Sequence, residues 1–279
     1  MRLLQEYIAF ARERHLIYER RAKGLPRPWT KDAVLQAFRF CNVYREYDKT
    51  TRWFAANVRD RLSDPAALLT STALFRWFNT IESGLLLGDA LLLRYDRALV
   101  ERALRPSKNA GVKLWTGAYL VKSPPGVDKL TGLLDCMDAL AGDAESLVAD
   151  WPATLQESHK ALLRYPYLGR FMAYELVTDL RHTQLLAGAP DKLTWASAGP
   201  GCARGLGWIV SGDPGQYSYA SDTQQELMNA LMQEVLAAVR SCWPARWPEW
   251  EMREVEHVCC EFDKWCRATY SGQRLKRKF

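Results

Sequence analysis

The stretch that most constrains this chain is Asp32 to Val58, DAVLQAFRFCNVYREYDKTTRWFAANV, 27 residues without a glycine or proline. On a 3.6-residue repeat, Phe40, Val43, Tyr44, Tyr47 and Phe54 fall on one side and Asn42, Arg45, Lys49 and Arg52 on the other. The pattern predicts one long amphipathic helix around which the other elements pack. Its polar face holds cations and an amide, without the Glu/Lys mixture of an ordinary solvated face, and Asp48 sits at the edge. Such a face suits phosphates; the competing reading is a solvated face with incidental arginines.

The rest of the chain also reads as helices. The first, from the N-terminus, puts Leu4, Tyr7, Ile8, Ala11, His15 and Tyr18 on one face and stops at Gly24. His15 is expected to pack or cap. Leu25-Pro-Arg-Pro-Trp-Thr30 reads as a stiff extended linker, with Thr30 capping the central helix and Asp32 in its first turn. Ser63-Asp64-Pro65 starts a helix that runs to Gly84. A mostly apolar, buried helix is expected from about 89 to 104, then an irregular loop from 105 to 128. Helices are expected at 129–149, 152–163, after Gly169, after Gly201, at 224–240 and from about 250 onward.

Composition narrows the class. With 279 residues, 48% hydrophobic and 25% charged, there is ample material for a core, and the expectation is one large all-α domain over 1–279, or two merged lobes with the 105–128 loop between them. No apolar run reaches the roughly 18 to 20 residues of a membrane span, and the N-terminal stretch lacks a signal peptide's apolar core. Seven scattered cysteines do not form a disulfide framework, so an intracellular protein with no membrane association is expected. The net charge of +6 is unevenly placed: Arg12, Arg14, Arg20, Arg21, Lys23 and Arg27 crowd the start against Glu13 and Glu19, and the tail from Gln273 is basic to the end. A polyanion partner fits that distribution.

Several residues carry candidate chemistry. Tyr165-Pro-Tyr-Leu-Gly169 joins two helices, and free backbone N–H groups at the start of the second suit a phosphate. Glu175 and Asp179 share one face of that second helix, and like charges four residues apart need a reason: partner cations or proton transfer. The alternative is a pairing with arginines of the central helix. Gly199-Pro-Gly201 before a helix with Arg204 in its first turn reads as an anion nest, or as a plain turn. On the last helix Glu261 and Lys264 form an i,i+3 pair. His257, Cys259, Cys260 and Cys266 invite a metal reading, but adjacent cysteines on a helix point about 100° apart, no CxxC pair occurs, and no metal or cofactor is expected. Neither GxxxxGK[ST] nor GxGxxG is present.

Four segments together resemble a known family: Arg20 with Gly24-Leu-Pro-Arg-Pro-Trp-Thr30; Phe38-Arg-Phe-Cys-Asn-Val-Tyr-Arg-Glu-Tyr-Asp48; Gly199-Pro-Gly201 with Arg204-Gly205; and Glu256-His-Val-Cys-Cys-Glu-Phe-Asp-Lys264 with Arg267, Gly272 and Lys276. In this order they resemble the phage DNA-hypermodification proteins called alpha-glutamyl/putrescinyl thymine pyrophosphorylases. Some of these are described as amino acid:DNA transferases, and the helical domain of 5-hydroxymethyluracil DNA kinases is closely related. The resemblance spans almost the whole chain. It implies a helical fold akin to helix-hairpin-helix DNA glycosylases, acting in the cytoplasm of an infected bacterial host. Its partners would be double-stranded DNA containing modified uracil and a free amino acid or polyamine. The iron–sulfur cysteine pattern of some glycosylases is absent.

The implied reaction replaces the phosphate or pyrophosphate of a phosphorylated 5-hydroxymethyluracil with an amine. The base must leave the duplex and be held by stacking and edge hydrogen bonds, roles suited to Trp29, Phe38 or Tyr44 and to Asn42. Arg39, Arg45 and Lys264 suit the leaving phosphate, with Arg52 on the same predicted face. Asp179, or alternatively Glu175 or Glu261, suits proton transfer from the amine. Gly169, Gly199, Gly201 and Arg204 suit the DNA backbone, with Arg267 and Lys276 adding basic charge. A kinase step on 5-hydroxymethyluracil is the alternative, weakened by the missing P-loop sequence. A non-catalytic DNA-binding module is a further one, and base excision using Asp191 is the weakest.

Overall fold

The computed structural model describes residues 1–118 and 120–272, and Lys276 lies outside them. Among the described residues the chain is all-α, with no strand. It divides into two compact units: residues 1–48 together with those from Lys192 onward, and an insertion, Lys49–Asp191, between these two halves. The stretch expected as a loop, 105–128, lies inside the inserted unit, and its first residues, up to Asn109, are helical instead.

The predicted central helix is not formed. The segment gives a short α2, Ala33–Ala37, then extended backbone, a 3-10 turn at Arg45–Tyr47, and a separate α3, Lys49–Asn57. Phe38 to Tyr44 consists, apart from Arg39 and Cys41, of aromatic, β-branched and amide residues, and all but Arg39 have modest helix propensity. Here two side chains offer the backbone better partners than a helix would. The Asp48 carboxylate accepts from the Asn42 N–H at 3.2 Å and the Asn42 side-chain amide at 2.9 Å, and that amide also donates to the Tyr47 carbonyl at 3.0 Å. Asn42, Arg45, Lys49 and Arg52 therefore share no helix face. Asn42 and Arg45 are buried, whereas Lys49 and Arg52 are exposed on α3. The cap is also displaced: the Asp32 carboxylate, not Thr30, accepts from Leu35 N–H at 2.8 Å, while Thr30 Oγ1 accepts from the Asp32 N–H.

The first unit combines α1, Leu4–Ala22, and α2 with α10, Pro200–Val210, α11, Asp222–Cys242, and α12, Met252–Tyr270. Its core is aromatic: Tyr7, Phe10, Phe40, Trp250 and Phe262 are all buried, with Tyr7 meeting Phe262 edge-on at 5.4 Å and Phe10 meeting Phe40 at 5.7 Å. His15 is packed among rings, 4.4 Å from Trp247 and 5.3 Å from Tyr44. Burial lowers its pKa to about 4. α10 lies unusually close to α12 because Gly201 and Gly205, one turn apart, face it. A Cβ at Gly201 would overlap the Cys260 side chain, and one at Gly205 would overlap the Cys259 carbonyl. These glycines serve helix packing, whereas a Cβ at Gly199 would make only an ordinary contact with Glu256.

The inserted unit is built on α4, Pro65–Phe78, in which every residue after the proline is buried. Asp64 caps it through Ala66 and Ala67 N–H. The predicted continuation to Gly84 breaks at Asn79, whose left-handed φ of 49° ends α4 before α5, Ile81–Leu87, begins. The expected buried helix at 89–104 is instead a 3-10 turn and an amphipathic α6, Arg97–Asn109, whose fully buried positions are Val100 and Leu104. Then come α7, Lys129–Ala149, α8, Leu155–Leu162, and α9, Arg170–Leu180.

Close packing at Gly205 gives a testable contrast with the exposed, open Gly142 inside α7. Gly205→Ala is expected to cost about 1–3 kcal/mol, because backbone carbonyls cannot swing aside, whereas Gly142→Ala should stabilise by up to about 1 kcal/mol. Urea unfolding of the two variants measures both, and equal effects would contradict the packing described.

Candidate active site

Within the first unit the extended 38–48 segment is clamped between α1 and α12. The Arg14 guanidinium, on α1, donates through Nη2 to the Phe40 carbonyl at 3.0 Å and to Asn42 Oδ1 at 2.8 Å. From α12, Glu261 accepts the Cys41 N–H at 2.9 Å, and one ring nitrogen of His257 meets the Asn42 carbonyl at 3.1 Å. The result is a polar cluster of Arg14, Cys41, Asn42, Asp48, His257, Glu261 and Lys264, in which Arg14, Asn42 and Glu261 are buried and Cys41 reaches solvent. Arg14 Nη1 is buried without a hydrogen-bond partner. A guanidinium nitrogen stranded in this way is costly unless a ligand or water completes it.

Charge in the cluster is finely balanced. Lys264 Nζ lies 2.6 Å from Glu261 Oε2 and 5.2 Å from the centre of the Phe40 ring. Burial pushes the Glu261 carboxyl upward, but Lys264, His257 and the Cys41 amide outweigh it and hold the group below the ordinary glutamate value. Burial likewise opposes the Lys264 charge, and Glu261 more than restores it. Both groups are ionised at neutral pH. Burial raises the Asp48 carboxyl despite the Asn42 amide and the Arg14 and Arg45 charges. Burial, reinforced by Arg253, lowers His257 to about 3, so its imidazole is neutral.

A second feature of this unit lies where α1 meets the linker. Trp29, Pro28, Thr30, Ile17, Leu35, Gln36 and Arg27 line a pocket of about 200 Å³, and Trp29 also borders a more open groove of about 490 Å³ with Glu13, Arg20, Lys31 and Asp32. Guanidinium groups of Arg27 and Arg21 lie 4.7 and 5.3 Å from the centre of the Trp29 ring. The Trp29 indole donates to the Leu25 carbonyl, and Arg20 donates to the Trp29 carbonyl. Gln36 donates to the Thr30 carbonyl at 2.8 Å.

The structure gathers some of the predicted site residues and separates others. Asn42, Glu261 and Lys264 meet in the cluster, and the Arg45 charge bears on Asp48 and His257 there. Both amide hydrogens of Asn42 are used inside the loop, so it shapes the loop rather than offering them to a base. Tyr44 is sealed among His15, Tyr47 and Trp243, its hydroxyl donating to the Pro248 carbonyl and accepting from Trp243. Phe38 is half-buried and Arg39 exposed. Arg204, expected beside the 199–201 turn, bonds the buried Asp263 carboxylate at 3.0 Å, and Arg267 bonds the same carboxylate at 3.2 Å.

Arg52, Gly169, Glu175 and Asp179 belong to the inserted unit. Gly169 starts α9 in open space. Asp179 is fully buried, and both its oxygens are taken by Arg76 of α4, Nη2 to Oδ1 at 2.7 Å and Nε to Oδ2. A partner arginine was expected, but from the central segment; α4 supplies it. Asp191 accepts the Leu155 and Gln156 N–H groups at the start of α8. Residues not singled out in the sequence as site residues are Arg14, Thr30, Gln36, Cys41 and Asp48. His257, Glu261 and Lys264 recur at i, i+4 and i+7, the helical signal that marks one shared face of α12.

By fold and chemistry the described residues form an all-helical protein with a charged, partly buried cluster that reaches solvent at Cys41 and Lys264. Among the described residues no helix is long and apolar enough to cross a membrane. Residues 1–274 match the family described as 5-hmdU DNA kinase, helical domain, and the chain belongs to that family. The 5-hmdU DNA kinase of Bacillus phage SP10 is 24% identical to it over 288 aligned positions, covering 93% of this chain and 44% of the kinase. The chain thus spans less than half the length of that relative. No solved structure matches it.

The Arg76–Asp179 pair tests the structural assignment of Asp179. Asp179→Asn would leave the Arg76 charge buried without its counter-ion, and a loss of about 3–5 kcal/mol is expected in chemical denaturation. A loss below about 1 kcal/mol would contradict the assignment.

Proposed function

We propose that this chain recognises a 5-substituted uracil in DNA and exchanges the phosphate of 5-phosphomethyluracil for the amine of an amino acid or polyamine. The observation that carries the reading is the Lys264–Glu261 pair, held at 2.6 Å beside the solvent-reaching Cys41. A phosphate arriving at this edge competes with Glu261 for Lys264. As the ammonium turns to the anion, Glu261 loses the charge that keeps its pKa low, and its affinity for a proton rises. Binding of the leaving group and arming of the base are then one event.

The step balances simply. The amine nitrogen attacks the methylene carbon on C5 of the base, the carbon–oxygen bond to phosphate breaks, and the phosphate departs with the bonding electrons. Lys264 and the Arg45 charge stabilise it as the charge grows, and Glu261 accepts the proton released by nitrogen. Arg39, exposed on the same segment, and Arg204 and Arg267 around Asp263 supply cations for the duplex backbone, whose contacts set register. The Trp29 pocket offers a ring for a base drawn from the stack, with Arg27 at hand for its phosphate. Hairpin α8–α9, turned at Gly169, is the element that best fits a helix-hairpin-helix contact to DNA.

A second reading is phosphoryl transfer to 5-hydroxymethyluracil, favoured by the name of the phage SP10 relative. These 279 residues contain no GxxxxGK[ST] loop, so under that reading this helical part presents the base and the nucleotide site lies elsewhere or is of another design. Recognition of the same modified base is common to both readings.

Nucleoside mass spectrometry after incubation of 5-phosphomethyluracil duplex with the protein and a mixture of amino acids and polyamines separates them. Loss of phosphate with gain of one amine is expected, and Glu261→Gln and Lys264→Ala should each lower the rate at least about a hundredfold. Undiminished turnover in both variants would overturn the residue roles. No product here, but phosphate gain on 5-hydroxymethyluracil DNA with ATP, would establish the kinase reading instead.

A further inference from the structure

The polar cluster holds a donor set that no helix shows by itself. One ligand atom each of Cys41, Asp48 and His257 lie within 4.8 Å of one another. The three come from the extended stretch, from the end of the 3-10 turn that follows it and from α12, so the fold, not local sequence, assembles them. We infer that Cys41, Asp48 and His257 form a binding site for a zinc-type divalent cation, with a fourth coordination position open to water or to an oxygen of a phosphate ester.

Three features carry this inference. Thiolate, imidazole and carboxylate together match zinc and its relatives rather than magnesium or calcium, which take oxygen ligands. In a closed zinc site, with bonds of about 2.0–2.3 Å, neighbouring donor atoms stand about 3.3–3.8 Å apart, so these need to close by about an ångström. The surroundings are also those of supported ligands. His257 Nε2 meets the Asn42 carbonyl at 3.1 Å, and a ring nitrogen that donates to a backbone carbonyl leaves the other to ligate, the usual arrangement of a ligating imidazole. Asp48 Oδ1 accepts from two Asn42 donors, which fixes the carboxylate beside Cys41 and His257.

Charge completes the argument. A thiolate and the Asp48 carboxylate cancel a dication, and Glu261 offsets the neighbouring Lys264. The remaining nearby cations, Arg14 and Arg45, weaken the site and favour an anionic fourth ligand. Cys41 is the exposed residue of the three, and Asp48 and His257 are half-buried. Cys259, Cys260 and Cys266 have no part in this ligand set, which takes one residue from α12 and two from outside it.

Cobalt(II) is a direct probe, because thiolate coordination gives it a sulfur-to-metal charge-transfer band and four-coordination gives strong visible absorption. The full chain, stripped with chelator and gel-filtered, is titrated with Co²⁺, and the bound metal is displaced with Zn²⁺. One equivalent with both spectral features is expected for the protein and for Cys242→Ser, an exposed cysteine elsewhere. Cys41→Ser should lose the charge-transfer band, and His257→Gln should weaken binding at least about tenfold. The Cys41 backbone N–H that bonds Glu261 remains in Cys41→Ser, so circular dichroism should report an unchanged fold. Absence of bound cobalt in the unsubstituted protein, or an undiminished charge-transfer band in folded Cys41→Ser, would overturn the proposal.

Discussion

The hydrogen-bond knot around Asn42 is the constraint on which the first unit depends. An extended backbone running from Phe38 to Tyr44 through a helical protein has no ladder to satisfy it. Arg14 takes the Phe40 carbonyl, Glu261 the Cys41 N–H, His257 the Asn42 carbonyl and Asp48 the Asn42 N–H. Three of the four partners come from the interiors of α1 and α12, and Asp48 closes the loop on itself. That use of polar groups ties α1 to α12 through the loop and concentrates ionisable side chains where one edge meets solvent.

The same knot explains which parts of the fold were legible in the sequence. Helices with a local stop or start signal could be placed closely: Asp64-Pro65 for α4, Gly24 for α1, Gly169 for α9, Gly199-Pro200 for α10. The 32–58 stretch carries a helical hydrophobic period and no glycine or proline, yet its helix is broken by tertiary partners. Arg14, His257 and Glu261 lie 26 to 220 residues away from the groups they satisfy, and periodicity is blind to them. The 89–104 segment failed for a simpler reason: its leucines looked like a buried helix, but Asp96 caps a later one through the Ala98 and Leu99 N–H groups.

Site chemistry was legible to a similar depth. The Glu261–Lys264 pair was visible as an i,i+3 spacing, and it is formed. Glycines at 201 and 205 were visible as a motif, but their cause is the backbone of α12, which sequence spacing cannot reveal. Asp179 shows the opposite failure: two acids on one face suggested chemistry, whereas for Asp179 the demand is met by Arg76 in the core of the inserted unit. A buried ion pair and a catalytic acid leave the same trace in a single sequence. Separating them requires the partner.

Membership of the 5-hmdU DNA kinase helical-domain family frames what the cluster is for, and the account proposed here places the modified group of the base at the 38–48 loop. Hydrogen exchange by mass spectrometry, comparing duplexes that contain thymine, 5-hydroxymethyluracil or 5-phosphomethyluracil, tests that placement most directly. The account predicts that the phosphorylated duplex slows exchange in peptides covering 38–48 and the 257–264 face of α12 well beyond the thymine duplex. Equal protection by all three duplexes, or protection confined to other segments, would contradict it.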